Sequence, residues 1–199
     1  MNKFLFFSDI HNDTRTIQQL LAIDADAYFC VGDLVNWGRG LDKMAACFAQ
    51  LPADRVYMLP GNHESARQME EFCARHGFVD FHGKTAEIGG VRVAGLGYST
   101  ITPFDTPGEF TEEQFTERLA AFAEYKPHVL VCHSPPLNTP LDRIREGLHA
   151  GSSAVREFIE RHQPAYFFCG HIHEAEGVVV QMGATRAMNV GKKGWLLEV

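Results

Sequence analysis

The amino-acid sequence predicts an α/β protein built on two sheets, and three observations predict it. Short apolar runs that stop in polar turns and are followed by helical spacing occur three times before His76. That alternation means parallel strands with right-handed crossover helices. Two apolar segments flanking Gly89-Gly90 read as an antiparallel hairpin. Residues 177–199 alternate short strand-like segments with glycine turns and show no helical spacing.

The first unit begins with Phe4-Leu5-Phe6-Phe7, a strand buried on both faces, which breaks at Ser8-Asp9-Ile10-His11. In extended backbone Asp9 and His11 project to the same side. Asn12 and Asp13 are N-cap candidates for a helix over residues 14–23, with Ile17, Leu20 and Leu21 as its inner stripe. A strand over 27–31 ends in Gly32-Asp33-Leu34-Val35-Asn36, where the glycine permits a tight turn before the acid. A helix is expected over 41–50. The strand at 55–59 breaks at Pro60 and delivers Gly61-Asn62-His63-Glu64, and 66–76 has helical spacing.

Beyond the hairpin of 85–88 and 91–97, residues 98–110 carry two prolines and read as a long loop on the site side. Thr111-Glu112-Glu113-Gln114 is a capping box for a helix to about residue 125. The strand 129–132 ends in His133-Ser134, and a loop with Pro140 and Gly147 follows. A helix capped by Ser152 or Ser153 runs to 162, and the strand 165–169 ends in Gly170-His171-Ile172-His173. Strands at 178–181, 185–189 and 195–199 are expected to form the second sheet together.

The chain has 199 residues, enough for one domain, 1–199, with a core that needs no staples. Its five cysteines show no CxxC spacing and read as reduced core residues. No apolar run approaches the ~20 residues of a membrane span, and no signal peptide precedes the first strand, so a cytoplasmic protein is expected. The net charge of −7, with no Lys/Arg-rich patch, disfavours stable nucleic-acid binding.

Five apolar strands each finish in a metal-capable group: Asp9 with His11, Asp33, Asn62 with His63, His133, and His171 with His173. A core histidine needs only a hydrogen-bond partner and has no reason to recur at strand ends. Mixed imidazole, carboxylate and amide donors suit Mn, Fe, Co, Ni or Zn better than Mg or Ca. Asp9, His11, Asp33, Asn62, His133, His171 and His173 alone make seven ligands, more than one ion needs, whereas two divalent metal ions sharing a carboxylate fit the count.

Taken together, Asp9-Ile10-His11, Gly32-Asp33-Leu34-Val35-Asn36, Gly61-Asn62-His63-Glu64, His133 and Gly170-His171-Ile172-His173 resemble the signature of the calcineurin-like metallophosphoesterases, in order and approximate spacing. The resemblance is to the small cap-free members. It implies a four-layer αββα sandwich, the metallo-dependent phosphatase fold. It also implies one ion on Asp9, His11 and His173, a second on Asn62, His133 and His171, and Asp33 as the bridge. His63 resembles the family's non-ligand histidine, a general acid or cation beside the leaving group, a role imidazole suits near neutral pH. The implied nucleophile is a water or hydroxide bridging the ions.

The expected activity is hydrolysis of small phosphodiesters, nucleotide-like ones among them, with phosphomonoesters as a second class. Hydrolysis of nucleoside pyrophosphate bonds is one alternative. A non-catalytic metal-binding scaffold is another, since a retromer subunit shares this fold. Glu64, Asn36 and Ser134 are candidates to steady the ligands. Asn12 reads as an N-cap and Trp37 as core, while His76, His82, His128, His149 and His162 read as surface or packing residues.

Overall fold

In a computed structural model describing residues 1–199, alternate side chains of strand β1 (Lys3–Phe7) enter two different cores. Phe4 and Phe6 join one apolar cluster, Leu5 and Phe7 another. This is what strand pleating requires when both faces of a sheet are covered.

β1 pairs in parallel with β2 (Ala27–Cys30), β2 with β3 (Val56–Met58), and β3 with the short β4 (Val79–Asp80). The crossovers are α1 (Thr14–Leu21), α2 (Leu41–Ala45) and α3 (Ala66–His76). Next come the antiparallel hairpin of β5 (Lys84–Ile88) and β6 (Val91–Leu96), and a short parallel pair, β7 (Ser99–Thr100) with β8 (Glu109–Phe110). Helix α4 (Glu112–Ala123) leads to β9 (Val129–Cys132), which lies parallel to β6. A small hairpin, β10 (Arg143–Arg145) and β11 (Leu148–His149), precedes α5 (Ser153–His162). β12 (Tyr166–Cys169) then pairs in parallel with β9. The chain closes with β13 (Val179–Met182), β14 (Thr185–Asn189) and β15 (Trp195–Glu198).

The two large sheets have the orders β15-β1-β2-β3-β4 and β13-β14-β12-β9-β6-β5. Three apolar clusters fill the three interfaces of a four-layer stack. One lies between the first sheet and α1 to α3, with Ile17, Met44 and Phe72. Another lies between the second sheet and α4 with α5, with Phe115, Phe158 and Ile159. The third joins sheet to sheet, where Phe6 stacks on Phe168 at 4.0 Å between ring centroids.

Several expectations are corrected. β15 does not join β13 and β14; it runs antiparallel to β1, with Trp195 opposite Phe6 and Leu197 opposite Phe4. The free edge of β1 leaves buried backbone groups in need of partners, and β15 supplies them. The helix expected over 41–50 is α2 followed by a 3-10 turn at Ala46–Phe48, which puts buried Ala45 and Phe48 on one side. Helix α1 stops at Leu21, two residues early. The stretch containing Gly147, expected as a loop, folds into the β10–β11 hairpin. The capping box expected at Thr111 with Gln114 forms, and the structure adds a second, unanticipated one at Ser65 with Gln68.

Candidate metal centre

The turns that follow β1, β2, β3, β9 and β12 meet at one end of the seam between the sheets. Asp9, His11, Asp33 and His171 all have left-handed backbones, with φ of 57°, 49°, 53° and 68°. The expectation that Asp9 and His11 share a face of extended strand is therefore corrected: the chain curls tightly there instead. Such conformations cost on the order of 1 kcal/mol each and persist where surrounding bonds enforce them. Here the backbone N–H of Asp9 donates to Gly32 O at 3.0 Å and that of His11 to Asp33 O at 3.0 Å, locking the first two turns together.

Two glycines are required by close approach. A Cβ on Gly32, whose φ is 106°, would lie 2.5 Å from His133 Nδ1, and one on Gly61 would lie 2.5 Å from the Asp33 nitrogen. Any side chain at either position displaces a member of the cluster.

Asp33 is divided between two tasks. Its Oδ1 accepts the backbone N–H of His63 at 2.9 Å. Its Oδ2 lies 3.7 Å from His11 Nε2 and 3.5 Å from His133 Nε2. Around this oxygen the side chains form two groups, Asp9 with His11 and His173, and Asp33 with His133 and His171, and His63 makes a third with His11 and Asp33. In the first, the Nε2 atoms of His11 and His173 are 3.1 Å apart, and His173 Nε2 is 3.4 Å from Asp9 Oδ1. In the second, Asn62 Oδ1 lies 3.3 Å from His133 Nε2 and 3.0 Å from His171 Nδ1.

These spacings test whether cations fit. Ligand bonds of about 2.0–2.2 Å put neighbouring ligand atoms about 3.0–3.4 Å apart in octahedral or tetrahedral geometry. The lone pairs of imidazoles, carboxylates and one amide oxygen converge at such distances, so the donor set suits divalent ions in both groups. The surrounding bonds orient it further. His133 Nδ1 donates to Val31 O at 2.8 Å, which leaves Nε2 with a free lone pair. Asp9 accepts the backbone N–H of His171 on both oxygens, at 3.2 and 3.0 Å.

Electrostatics agree. Burial opposes charge on His133, but Asp33 and Asp9 outweigh it and raise its pKa to about 9. Burial and the charge on His133 push His171 down to about 4. Burial works against the charge on Asp33 as well, yet the surrounding histidines hold its pKa below the usual carboxylate range. Two buried carboxylates thus demand positive charge, and a metal ion competes with protons to supply it.

Glu64 is fully buried and accepts backbone N–H groups from Asp33, Val35 and Gly61 at 3.2, 2.9 and 2.9 Å, tying the turns after β2 and β3 to each other. Asn36 donates to His11 O at 3.3 Å and so steadies the first turn, whereas the Ser134 hydroxyl has no partner. Asn12 is not the N-cap of α1; Asp13 is, and the Asn12 side chain instead braces the backbone of Asn36 and Arg39. Trp37 is not core but 46% exposed, edge-on to His63 at 5.5 Å between ring centroids. His63 lies beside His11 and Asp33, and its Nδ1 accepts the Trp37 backbone N–H at 3.2 Å.

Two residues that sequence reasoning missed complete the arrangement. Thr106 Oγ1 accepts from Asn62 Nδ2 at 3.3 Å and donates to Glu109 at 2.5 Å. Nothing in the spacing of 62, 106 and 109 announces this contact, because a long loop makes it. The cluster opens into a cleft of about 440 Å³, with Thr100, Ile101, Thr102, Pro103 and Phe104 on one wall and Ile144 nearby.

A model of the calcineurin-like phosphoesterase family matches residues 2–175 of the chain. The chain belongs to that family. It is 28% identical over 200 residues to protein MJ1162 of Methanocaldococcus jannaschii, covering 98% of this chain and 90% of that one. Among solved structures, the phosphoesterase is similar to TT1561 of Thermus thermophilus, with a TM-score of 0.72 at 20% identity over 96% of this chain and 89% of the other. It is also similar to a dimetal phosphatase from Danio rerio, with a TM-score of 0.63 at 13% identity over 94% and 86%. A third is the phosphopantetheinyl hydrolase PptH of Mycobacterium tuberculosis, with a TM-score of 0.63 at 14% identity over 95% and 88%. These likenesses establish the metallo-dependent phosphatase fold that the four layers describe. Family membership makes the chain a phosphoric ester hydrolase. No helix is long and apolar enough to cross a membrane.

Proposed function

We propose that this phosphoesterase hydrolyses phosphodiesters at a pair of divalent transition ions. Asp9, His11 and His173 hold one ion, Asn62, His133 and His171 the other, and Asp33 is common to both. The observation that carries this is the position of Asp33 Oδ2, 3.7 Å from a histidine nitrogen of the first group and 3.5 Å from one of the second. When bound, such a pair supplies Lewis-acid charge to phosphoryl oxygens and activates water near neutral pH.

The remaining roles belong to the chain. Because the Trp37 N–H occupies Nδ1 of His63, the proton of the neutral ring sits on Nε2. His63 lines the cleft, so that Nε2–H serves a departing alkoxide as hydrogen-bond donor and then as acid. Glu64 and Gly61 keep Asp33 in place while charge moves around it. No lysine or arginine lines the cleft, and Glu174 adds an acid to it. No guanidinium or ammonium group is there to meet the second charge of a monoester dianion or the several charges of a pyrophosphate chain. A diester, with one negative charge, matches this wall best.

The test pairs elemental analysis with an ester screen. Protein reconstituted with Mn should bind two ions per chain and turn over bis(p-nitrophenyl) phosphate. Turnover of p-nitrophenyl phosphate or dinucleotide polyphosphates with none of the diester overturns the substrate assignment. One ion per chain at saturation overturns the dinuclear one.

A further inference from the structure

After Met1, the two most exposed large apolar side chains of the whole chain are Phe104, at 70%, and Ile101, at 66%, and both line the cleft over the candidate metal centre. Single exposed apolar residues are ordinary on a protein surface. Two of this degree on one wall, with Pro103 between them and Ile144 lining the same cleft, make a patch that asks for an occupant.

The wall is held, not loose. Glu109 accepts the Thr102 hydroxyl at 2.6 Å and the Thr106 backbone N–H at 3.0 Å. Thr102 Oγ1 in turn accepts the Phe104 N–H at 3.2 Å, and Ser99 N–H donates to Gly108 O at 3.1 Å across the base of the loop. The backbone that carries Ile101 and Phe104 is braced, so a ligand that covers them need not order the loop.

The second contribution is selective by charge. β10 reads Arg143-Ile144-Arg145, and its register with β11 shifts between the two arginines. Ile144 is the one that lines the cleft, while Arg143 and Arg145 are exposed and line none of it. A strand with two guanidinium groups in three residues thus presents only its hydrocarbon side to the site. For a substrate rich in phosphate the opposite register would serve.

We infer that Ile101, Phe104 and Ile144 form a subsite for one bulky apolar ester group, aromatic or hydrocarbon, of a phosphodiester substrate. This rests on the phosphodiesterase reading of the neighbouring cluster, and the occupant is part of the substrate because the patch and the candidate ligands His11, His171 and His173 line one continuous cleft.

Calorimetric titration of Mn-loaded protein with dibenzyl phosphate and dimethyl phosphate tests it, since the two carry the same charge and differ in apolar bulk. Dibenzyl phosphate should bind at least about tenfold more tightly, the size expected for shielding one ring from water. The double variant Ile101→Ala with Phe104→Ala removes only exposed side chains. It should cut the ratio to below about threefold, leaving dimethyl phosphate affinity unchanged. A ratio near one in the wild type, a ratio the variant does not alter, equal weakening of both ligands, or binding of neither overturns the inference. An unaltered ratio in a variant that has lost a wild-type dimer reassigns the patch to self-association and equally overturns it. Should the ratio and its loss hold while no diester is hydrolysed, the proposed function falls and the subsite stands.

Discussion

The Thr106 hydroxyl decides which way the Asn62 amide faces. Thr106 gives its single hydroxyl proton to Glu109 at 2.5 Å, so toward Asn62 it can only accept, and it meets Nδ2 at 3.3 Å. Oδ1 is therefore turned to His133 and His171. Thr106→Val keeps the shape and removes the acceptor, which frees the amide to rotate. The expected result is a loss of about 10–100-fold in affinity for one of two ions, the other keeping its affinity. Competition with a chromogenic chelator resolves the two steps. Equal weakening of both would show a general disturbance of the loop.

Phe6 and Phe168 stack across the two sheets at 4.0 Å between centroids, and both are fully buried. Phe168 lies two residues before Gly170, so the same contact that joins the layers fixes where His171 and His173 begin. Phe168→Ala should cost about 3–5 kcal/mol through the cavity it leaves. In a chain of this length that is a drop in Tm of about 6–20 °C. Phe168→Leu should cost far less. Calorimetric melts of the three proteins check this, and a small drop for the alanine variant would mean the sheets are held together elsewhere.

What could be read in the sequence was local. Buried runs such as Phe4 to Phe7 and polar breaks such as Gly61-Asn62-His63-Glu64 announce strands and the turns that close them, because burial and glycine leave marks at adjacent positions. What could not be read depends on partners distant in sequence. β15 could pair with any free edge, and only assembly shows that it covers β1. Thr106 and Glu109 bear on Asn62 through a loop whose path no spacing encodes. Asp9 and His11 lie in left-handed backbone, set by hydrogen bonds to the turn after β2, so pleating arithmetic does not apply to them. The apolar patch at Ile101 and Phe104 was legible only as two hydrophobic residues in a polar loop.

His82, which belongs to none of the candidate ligand groups, gives the chain a second pH dependence. Burial lowers its pKa to about 4, its Nδ1 accepts the Gly97 N–H at 3.0 Å, and its ring packs on Tyr98 and Phe110. The unfolded chain binds a proton here near pH 6.5, while the folded chain waits until about 4. The contribution is therefore fully present above pH 6.5 and is lost as pH falls toward 4. Its size is about 3 kcal/mol. Denaturant unfolding at pH 7 and pH 4.5 should show a smaller acid loss in His82→Asn than in wild type, and the difference between the proteins isolates this group from the carboxylates. An NMR titration placing the His82 midpoint between 6 and 7 would contradict the account.

Asp33 and His63 are joined by one hydrogen bond, from the His63 backbone N–H to Asp33 Oδ1 at 2.9 Å, yet their side chains are assigned opposite duties. Asp33 Oδ2 faces a histidine of each group, so on the proposed function Asp33→Asn removes a negative charge common to both ion positions. It should lower occupancy at both positions, read as metal per chain after gel filtration. The His63 ring is held by Trp37 through Nδ1, outside the two ligand groups, so His63→Ala should retain two ions per chain. Its kcat on an alkyl diester should fall about 10²–10⁴-fold, the usual worth of a positioned acid. The fall should be much smaller for an ester whose departing group is a stable phenolate, because that group needs no proton. This leaving-group dependence separates an acid from a ligand or a packing residue. Loss of an ion in His63→Ala would make His63 a third ligand beside His11 and Asp33, the arrangement their proximity also permits.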